Sequence, residues 1–326
     1  MSLRFIDGAQ VRALLDPGDC IAALRPAMIA LSQGRARQPL RSVLDLDDGD
    51  AFGVMPGALA DGLFGAKLIS VFPRNFERGL SSHQGVIVLF DRDSGAPQAV
   101  VDASAVTALR TAAASALATD ALARRDARVL ALLGYGEQAA THLAAISRVR
   151  AITEVRIWGR SRERAAAFAA RENAAAAARG QRLQVCDTVA AAVAGADVIC
   201  TLTAAQEPIL FGHELEPGMH LNLVGSGRAG PVEVDHGVVT RARFFADHRE
   251  SVLRQGAEFL RAQQAGLVDE SHVLGEIGEV LAGTLAGRTD DAQITAYKSL
   301  GSIVQDLAAA QYLLQRSREP GASLGF

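Results

Sequence analysis

Two groups of residues have types and spacings that could do chemistry. The first is the run Gly134-Tyr135-Gly136-Glu137-Gln138-Ala139, which directly follows the apolar stretch RVLALL and leads into THLAAI. Gly134 permits a tight turn, Gly136 lets backbone approach a pyrophosphate, and Ala139 allows close packing of helix on strand. A helix starting there offers free N–H groups and the positive end of its dipole to phosphates. A second apolar run, EVRIW, follows about twenty residues later, as a dinucleotide-binding strand–helix–strand unit requires. A second loop, GSGRAG at 225–230, also fits the glycine spacing. Pro231-Val232-Glu233-Val234 behind it is a poor helix start, so it reads as a loop lining a site at a strand end rather than as the fingerprint.

The end of the second strand speaks to the cofactor. Many NAD-binding units place a carboxylate there for the ribose hydroxyls. Here the residues are Gly159-Arg160-Ser161. No carboxylate repels a 2′-phosphate, and a guanidinium and a hydroxyl are present to bind one. The alternative is a solvated Arg160 and a Ser161 that only caps the next helix. The pattern favours NADP(H), with NAD(H) as the alternative.

The second group is cationic. Lys67 lies in a run that is apolar on both faces, with Phe64, Ala66 and Leu68 on one and Ile69 and Val71 on the other. A lysine there is costly unless it meets an anion or water, so it is either a site lysine or one reaching solvent at a strand end. Arg110 sits among Ala, Leu and Thr; it needs an anionic partner unless it lies on the surface. Arg41 alone means little.

The elements that position these residues fall into two patterns. Residues 18–33 have apolar residues at helical spacing. Between 40 and 101, LRSVLDL, AFGVM, GAKLISVF and GVIVLF alternate with turn signals and predict a mostly antiparallel sheet. Asp102 can cap the Ala-rich helix that follows, to about Ala123. From 127 the chain alternates strand and helix, with RVLALL, EVRIW, RLQVC, DVICTL, HLNLV and RFFAD as strands. That rhythm predicts a doubly wound parallel sheet. Residues 165–180 read as an exposed Ala-rich helix, and an amphipathic helix is expected from about 292 to 316. The fold class is thus α/β: a Rossmann domain over 121–291, beside an α+β domain over 1–120 completed by 292–326.

Composition excludes several classes. Apolar residues make up 49% and charged residues 21%, and the formal net charge is −3. No basic surplus supports nucleic-acid binding, and no apolar run approaches the ~20 residues that span a bilayer. Cys20, Cys186 and Cys200 are odd in number and far apart, which suits reduced thiols in a cytoplasm. Neither they nor the seven histidines show zinc-ligand spacing, so no metal is expected.

Several stretches resemble the ornithine cyclodeaminase/mu-crystallin family: FGVMPG (52–57), GAKLISVFP (65–73), SSHQGVIVLFD (81–91), ALRTAAASALA (108–118), GYGEQA, ADVICTLTAAQEPIL (196–210), GEIGEVLAG (275–283) and YKSLGSIVQDLAAA (297–310). They run in the family's order over almost the whole chain. The resemblance implies a homodimer whose N-terminal domain and final helix serve substrate binding and dimerisation. It also implies hydride transfer between a nicotinamide and the Cα of a small amino acid or its imine.

By the same matching, Arg41, Lys67 and Arg110 contact the substrate carboxylate, with Met55 nearby and Lys67 as the catalytic residue. Ser82, His83, Arg110, Thr111, Thr201, Leu202, Thr203, Val224 and Ser299 join the glycine loop and Gly159-Arg160-Ser161 around the cofactor. One departure matters. Cyclodeaminases and alanine dehydrogenases of the family carry an aspartate in the loop after the fifth strand, and ungapped matching puts Gly227 there, among the substrate-facing residues. A lysine expected four residues on is Pro231. Ketimine-reducing members also lack that aspartate, so imino acid reduction is the leading reading. Ornithine cyclodeamination to proline and ammonia, and a non-catalytic crystallin-like binding protein, are the alternatives.

Overall fold

The structure is a computed structural model and describes residues 2–79, 81–227, 230–317 and 322–323. The chain forms two compact units, Met1–Arg110 with Ser302–Phe326, and Thr111–Gly301.

In the first unit, strand β1 (Ser2–Ile6) leads to helices α1 (Gly8–Leu14) and α2 (Pro17–Ser32). Asp7 and Gln10 close a capping box on α1, and Asp16 caps α2 just ahead of Pro17, where a missing N–H costs nothing. The sheet continues with β2 (Ser42–Asp45), β3 (Ala51–Ala58), β4 (Phe64–Val71), β5 (His83–Phe90) and β6 (Pro97–Asp102). Strands β2 to β6 pair antiparallel in sequence order, and β1 adds parallel to β6. Asp102 Oδ1 accepts the Ala105 N–H at 2.7 Å and starts α3 (Ala103–Leu122), as its position predicted.

The second unit alternates strand and helix: β7 (Val129–Leu133), α4 (Glu137–Ile146), β8 (Glu154–Trp158), α5 (Arg162–Ala178), β9 (Arg182–Val185), α6 (Val189–Val193), β10 (Val198–Thr201), β11 (His220–Leu223), α7 (His236–Arg241), β12 (Arg243–Ala246), α8 (Arg249–Gln255), α9 (Ala257–Gln264), β13 (Val273–Glu276), α10 (Ile277–Leu281) and β14 (Thr295–Lys298). The strands form one parallel sheet in the order β13-β12-β14-β11-β10-β7-β8-β9. The order reverses between β7 and β10, the switch point where open sheets of this type bind ligands. Both faces are covered: Leu130, Leu132, Val155 and Ile157 belong to one apolar cluster, and Ala131, Leu133, Ile199 and Leu221 to another. Near-continuous apolar strands are what a sheet buried on both faces demands.

The C-terminal region departs from expectation. No helix begins at 292. Thr295–Lys298 is β14, fully buried between β11 and β12. Its alternation of Thr, Ala, Tyr and Lys reads as helical until the neighbouring strands are known. Gly301, at φ 83°, breaks the chain, and Ser302 with Gln305 caps helix α11 (Ile303–Arg316). The second unit therefore extends past 291 to Gly301, and the division near 120 falls instead at Arg110/Thr111 within α3. Residues 318–321 and 324–326 of the expected C-terminal segment lie outside the described residues. Among the described residues no helix is long and apolar enough to cross a membrane.

Candidate active site

In the first unit Lys67 sits mid-strand in β4, paired in register with Met55 on β3 and Ile87 on β5. The burial alternation along β4 places Lys67 with Gly65 and Ile69 on the covered face, where α11 packs. Only 2% of Lys67 is exposed. Its Nζ donates to Thr107 Oγ1 at 2.6 Å and to Asp306 Oδ1 at 3.2 Å. Thr107 in turn donates to the Ala103 carbonyl, which leaves its oxygen free to accept from lysine. Thr107 and Arg110 are three residues apart on α3 and so share a face. Arg110 Nε donates to the same Asp306 Oδ1 at 2.9 Å, and its Nη1 to Gln305 Oε1 at 2.9 Å.

Asp306 lies in the first turn of α11, where the helix dipole favours a carboxylate. Its single charge faces the two buried cations. Burial drives the Lys67 pKa down to about 8; Asp306 opposes that shift, whereas Arg110 and Arg41 add to it. A surplus of buried positive charge is costly unless an anion arrives. A substrate carboxylate is such an anion.

The other expected residues of this unit lie around that cluster. Met55 is buried, and Arg41 precedes β2 and is partly exposed. Ser82 Oγ is 2.9 Å from His83 Nδ1. His83 keeps exposed surface, yet its pKa is pushed down, first by desolvation and then by the Lys67 and Arg110 cations, so its imidazole is neutral at pH 7. Cys20 is buried, and burial pushes its thiol up to about 12, so it is no nucleophile.

In the second unit, register sets Trp158, Leu133, Thr201, Leu223 and Lys298 side by side across five adjacent strands. The next residues, Gly159, Gly134, Leu202, Val224 and Ser299, therefore emerge together at the carboxyl edge of the sheet. Gly134 takes φ 140°, and a Cβ there would lie 2.6 Å from the Leu202 carbonyl oxygen. Gly136 caps α4 with open space where its Cβ would be, Glu137 stands in the first turn, and Ala139 is fully buried. A Cβ on Gly159 would meet the Tyr135 ring at 2.2 Å, so the ring lies against that glycine. Gln138 Oε1 and Ser299 Oγ are buried with no hydrogen-bond partner among the described residues. Orphaned oxygens at a sheet edge with an open helix N-terminus fit a dinucleotide. Arg160 is exposed, and Ser161 caps α5 by accepting the Arg164 N–H. Thr111 and Thr201 are buried.

A family model for the ornithine cyclodeaminase/mu-crystallin family matches residues 5–320. The chain belongs to this family. Ketimine reductase mu-crystallin of Mus musculus is 36% identical over 280 residues, covering 85% of this chain and 84% of that protein. A Thermococcus litoralis Delta(1)-pyrroline-2-carboxylate reductase, solved with NADH and L-proline, superposes with a TM-score of 0.94 at 28% identity, over 99% of this chain and 100% of the other. An archaeal alanine dehydrogenase dimer with bound NAD superposes with a TM-score of 0.93 at 29% identity, over the whole of both chains.

In this family member two carboxylates, Glu233 and Asp235, follow the loop after β11, and both are engaged. Glu233 is buried; Oε1 accepts Thr203 N and Oγ1, both at 2.6 Å, and Oε2 accepts Gly225 N at 2.7 Å. Thr203 thus commits its hydroxyl to Glu233. Asp235 caps α7 and also accepts Gly212 N. Among the described residues, nothing lies within 4 Å of where a Cβ on Gly227 would be. Arg228 and Ala229 of the expected loop lie outside the described residues.

Some functional residues were missed from sequence. Asp306, Gln305 and Thr107 complete the Lys67–Arg110 cluster. In the second unit Lys298 pairs with Glu258 at 2.8 Å and donates to Ser226 Oγ at 2.6 Å, while Ser226 donates to Glu258. Asp247 Oδ2 accepts the Leu300 and Gly301 N–H groups, both at 2.7 Å. Together they anchor the turn that carries Ser299. The signal for Asp306 was its place in the apolar run IVQDLAAA, the same signal that marked Arg110.

Proposed function

We propose that this protein is an NADPH-dependent reductase of small α-imino acids, with cyclic ketimines as the preferred class. The observation that carries the reading is the buried Lys67–Asp306–Arg110 cluster, with more positive charge than its own carboxylate neutralises. Two relatives, one matching 85% of this chain and the other 99%, are a ketimine reductase and a pyrroline-2-carboxylate reductase.

A nicotinamide cofactor, when bound, would supply hydride for the imine carbon. Gly134 to Ala139, Gly159, Leu202, Val224 and Ser299 would hold it. On the substrate, Arg110 and Arg41 bind the carboxylate as anion partners. Lys67 holds a proton on Nζ near neutral pH and delivers it to the imine nitrogen as C=N becomes CH–NH. A proton donor whose pKa lies close to the working pH suits that task. Arg160 and Ser161 are assigned to a 2′-phosphate. Both solved relatives carry NADH or NAD, so cofactor titration decides that point.

Cyclodeamination is the weaker reading. It needs a base for amine attack and ammonia loss, and Gly227 supplies none while Glu233 and Asp235 are engaged. A binding-only role leaves the Lys67–Arg110 cluster without a purpose. We assign the N-terminal unit to substrate binding and dimerisation. Edge strand β2 supports this, since its Val43 and Leu44 are 51% and 61% exposed. The three free cysteines suit a cytoplasmic protein. A panel tests the reaction: NADPH oxidation with cyclic imines and with keto acids plus amines, against NAD⁺ reduction with L-amino acids. Turnover confined to the amino acid arm would overturn the reading.

A further inference from the structure

Of the 33 basic residues only two are lysines, Lys67 and Lys298, leaving 33 − 2 = 31 arginines. The chain meets almost every need for a cation with a guanidinium, which keeps its proton at any working pH. Lys67 is one of two exceptions, and it is buried beside an arginine that shares its counter-ion. A lysine in that setting can release a proton as well as carry charge, which a guanidinium cannot. What governs that proton is then a matter of the groups around it.

These come from every element packed against it. Arg110 on α3 and Arg41 before β2 are fixed cations. His83 at the start of β5 is held neutral, and the Cys20 thiol on α2 stays protonated. Asp306 on α11 is the carboxylate at hydrogen-bond distance, and it is fully buried. One of its oxygens meets both cations, and the other, Oδ2, has no hydrogen-bond partner among the described residues.

We propose that Asp306 is the positioning residue of this site: by sharing one oxygen between Lys67 and Arg110, it keeps the Lys67 ammonium charged and aligned for proton delivery. Asp306 has no exposed surface and acts through Lys67, not on the substrate. The proposal rests on the imine-reductase reading for its use, but the coupling it asserts can be measured without any substrate.

Because the chain has two lysines, protein carrying [ε-¹³C]lysine gives two side-chain signals, and the spectrum of Lys67→Met assigns them. Titration of the wild type should place the Lys67 midpoint at about 8. In Asp306→Asn the midpoint falls by about one pH unit or more, because an opposite charge at this distance is removed. In Arg110→Gln it rises, because a repelling cation is gone. The alkaline limb of kcat/KM for imine reduction moves down in Asp306→Asn with the signal. A purely structural aspartate would lower the active fraction without moving either midpoint.

An unchanged Lys67 midpoint in folded Asp306→Asn overturns the proposal. If that variant does not fold, Arg110→Gln decides alone: a midpoint that fails to rise means the shared oxygen does not couple the two cations. If both signals move as stated while the kinetic limb stays fixed, the coupling stands and Lys67 as proton donor falls.

Discussion

Nζ of Lys67 lies 3.2 Å from Oδ1 of Asp306, although 239 positions separate the two residues in the chain. Arg110 reaches the same oxygen from a third element. The three charges belong to β4, α3 and α11, so the cluster exists only once the first unit has assembled from both ends of the chain. Removing any one member leaves a different charge balance behind, and the consequences differ in kind.

Lys67→Met leaves the Arg110–Asp306 pair neutral and intact. The variant should fold and bind cofactor as the wild type does. Its kcat/KM for an imino acid should fall by about 30-fold to several thousand-fold, the range for truncating one partner of a buried charge pair. Initial rates beside a nicotinamide fluorescence titration check both halves. A variant within about threefold of wild type would make Lys67 structural.

Stability should carry the mark of the same lysine. Its pKa is 10.5 in water and about 8 in the fold. Below 8 the ammonium is protonated in both states and its burial is a fixed cost. Between these values the native chain has released the proton and the unfolded chain has not, so stability rises with pH across that window. Urea unfolding of wild type and Lys67→Met at about pH 7 and about pH 9.5 measures this, and the rise should be smaller in the variant. Equal changes in both proteins would place the lowered pKa elsewhere.

Cofactor choice turns on Arg160. It is exposed at the end of β8 with no carboxylate beside Gly159 and Ser161. Wild type should bind NADPH at least about tenfold more tightly than NADH, the worth of one charged hydrogen bond. Arg160→Ala should erase most of the difference. Equal dissociation constants in the wild type would assign Arg160 to solvent and leave NAD(H) as the cofactor.

Much of this was legible in the sequence, for identifiable reasons. Gly134, Gly136 and Ala139 announce themselves because a tight turn, a phosphate approach and a close packing each restrict the residue type. β7, β10, β11 and β12 were legible because burial on both faces leaves little room for polar residues, and β8 and β9 because Val155 and Ile157, and Leu183 and Val185, alternate with more exposed neighbours. β14 was hidden: its Lys298 is paid for by Glu258, forty positions earlier, and a lysine in a short run reads as a helix surface. Asp306 was hidden for the same reason, since both its cations lie in the other half of the chain. Lys67 and Arg110 stand out as misplaced charges, but nothing local to Arg110 points to Asp306 as its anionic partner. Local pattern reveals a burial problem, and only tertiary structure reveals its solution.

We propose that this chain reduces preformed imines and does not cyclise ornithine. Cyclodeamination needs proton movements that a positioned acid/base accelerates by about 10²–10⁴-fold. Gly227 has no side chain, Glu233 is bound by Thr203 and Gly225, and Asp235 caps a helix. The direct measurement sets ammonia release from ornithine with NAD⁺ beside NADPH oxidation on pyrroline-2-carboxylate and piperideine-2-carboxylate. Imine reduction should be at least about a hundredfold faster. Ammonia released at a rate comparable to imine reduction would contradict it and restore the cyclodeaminase reading.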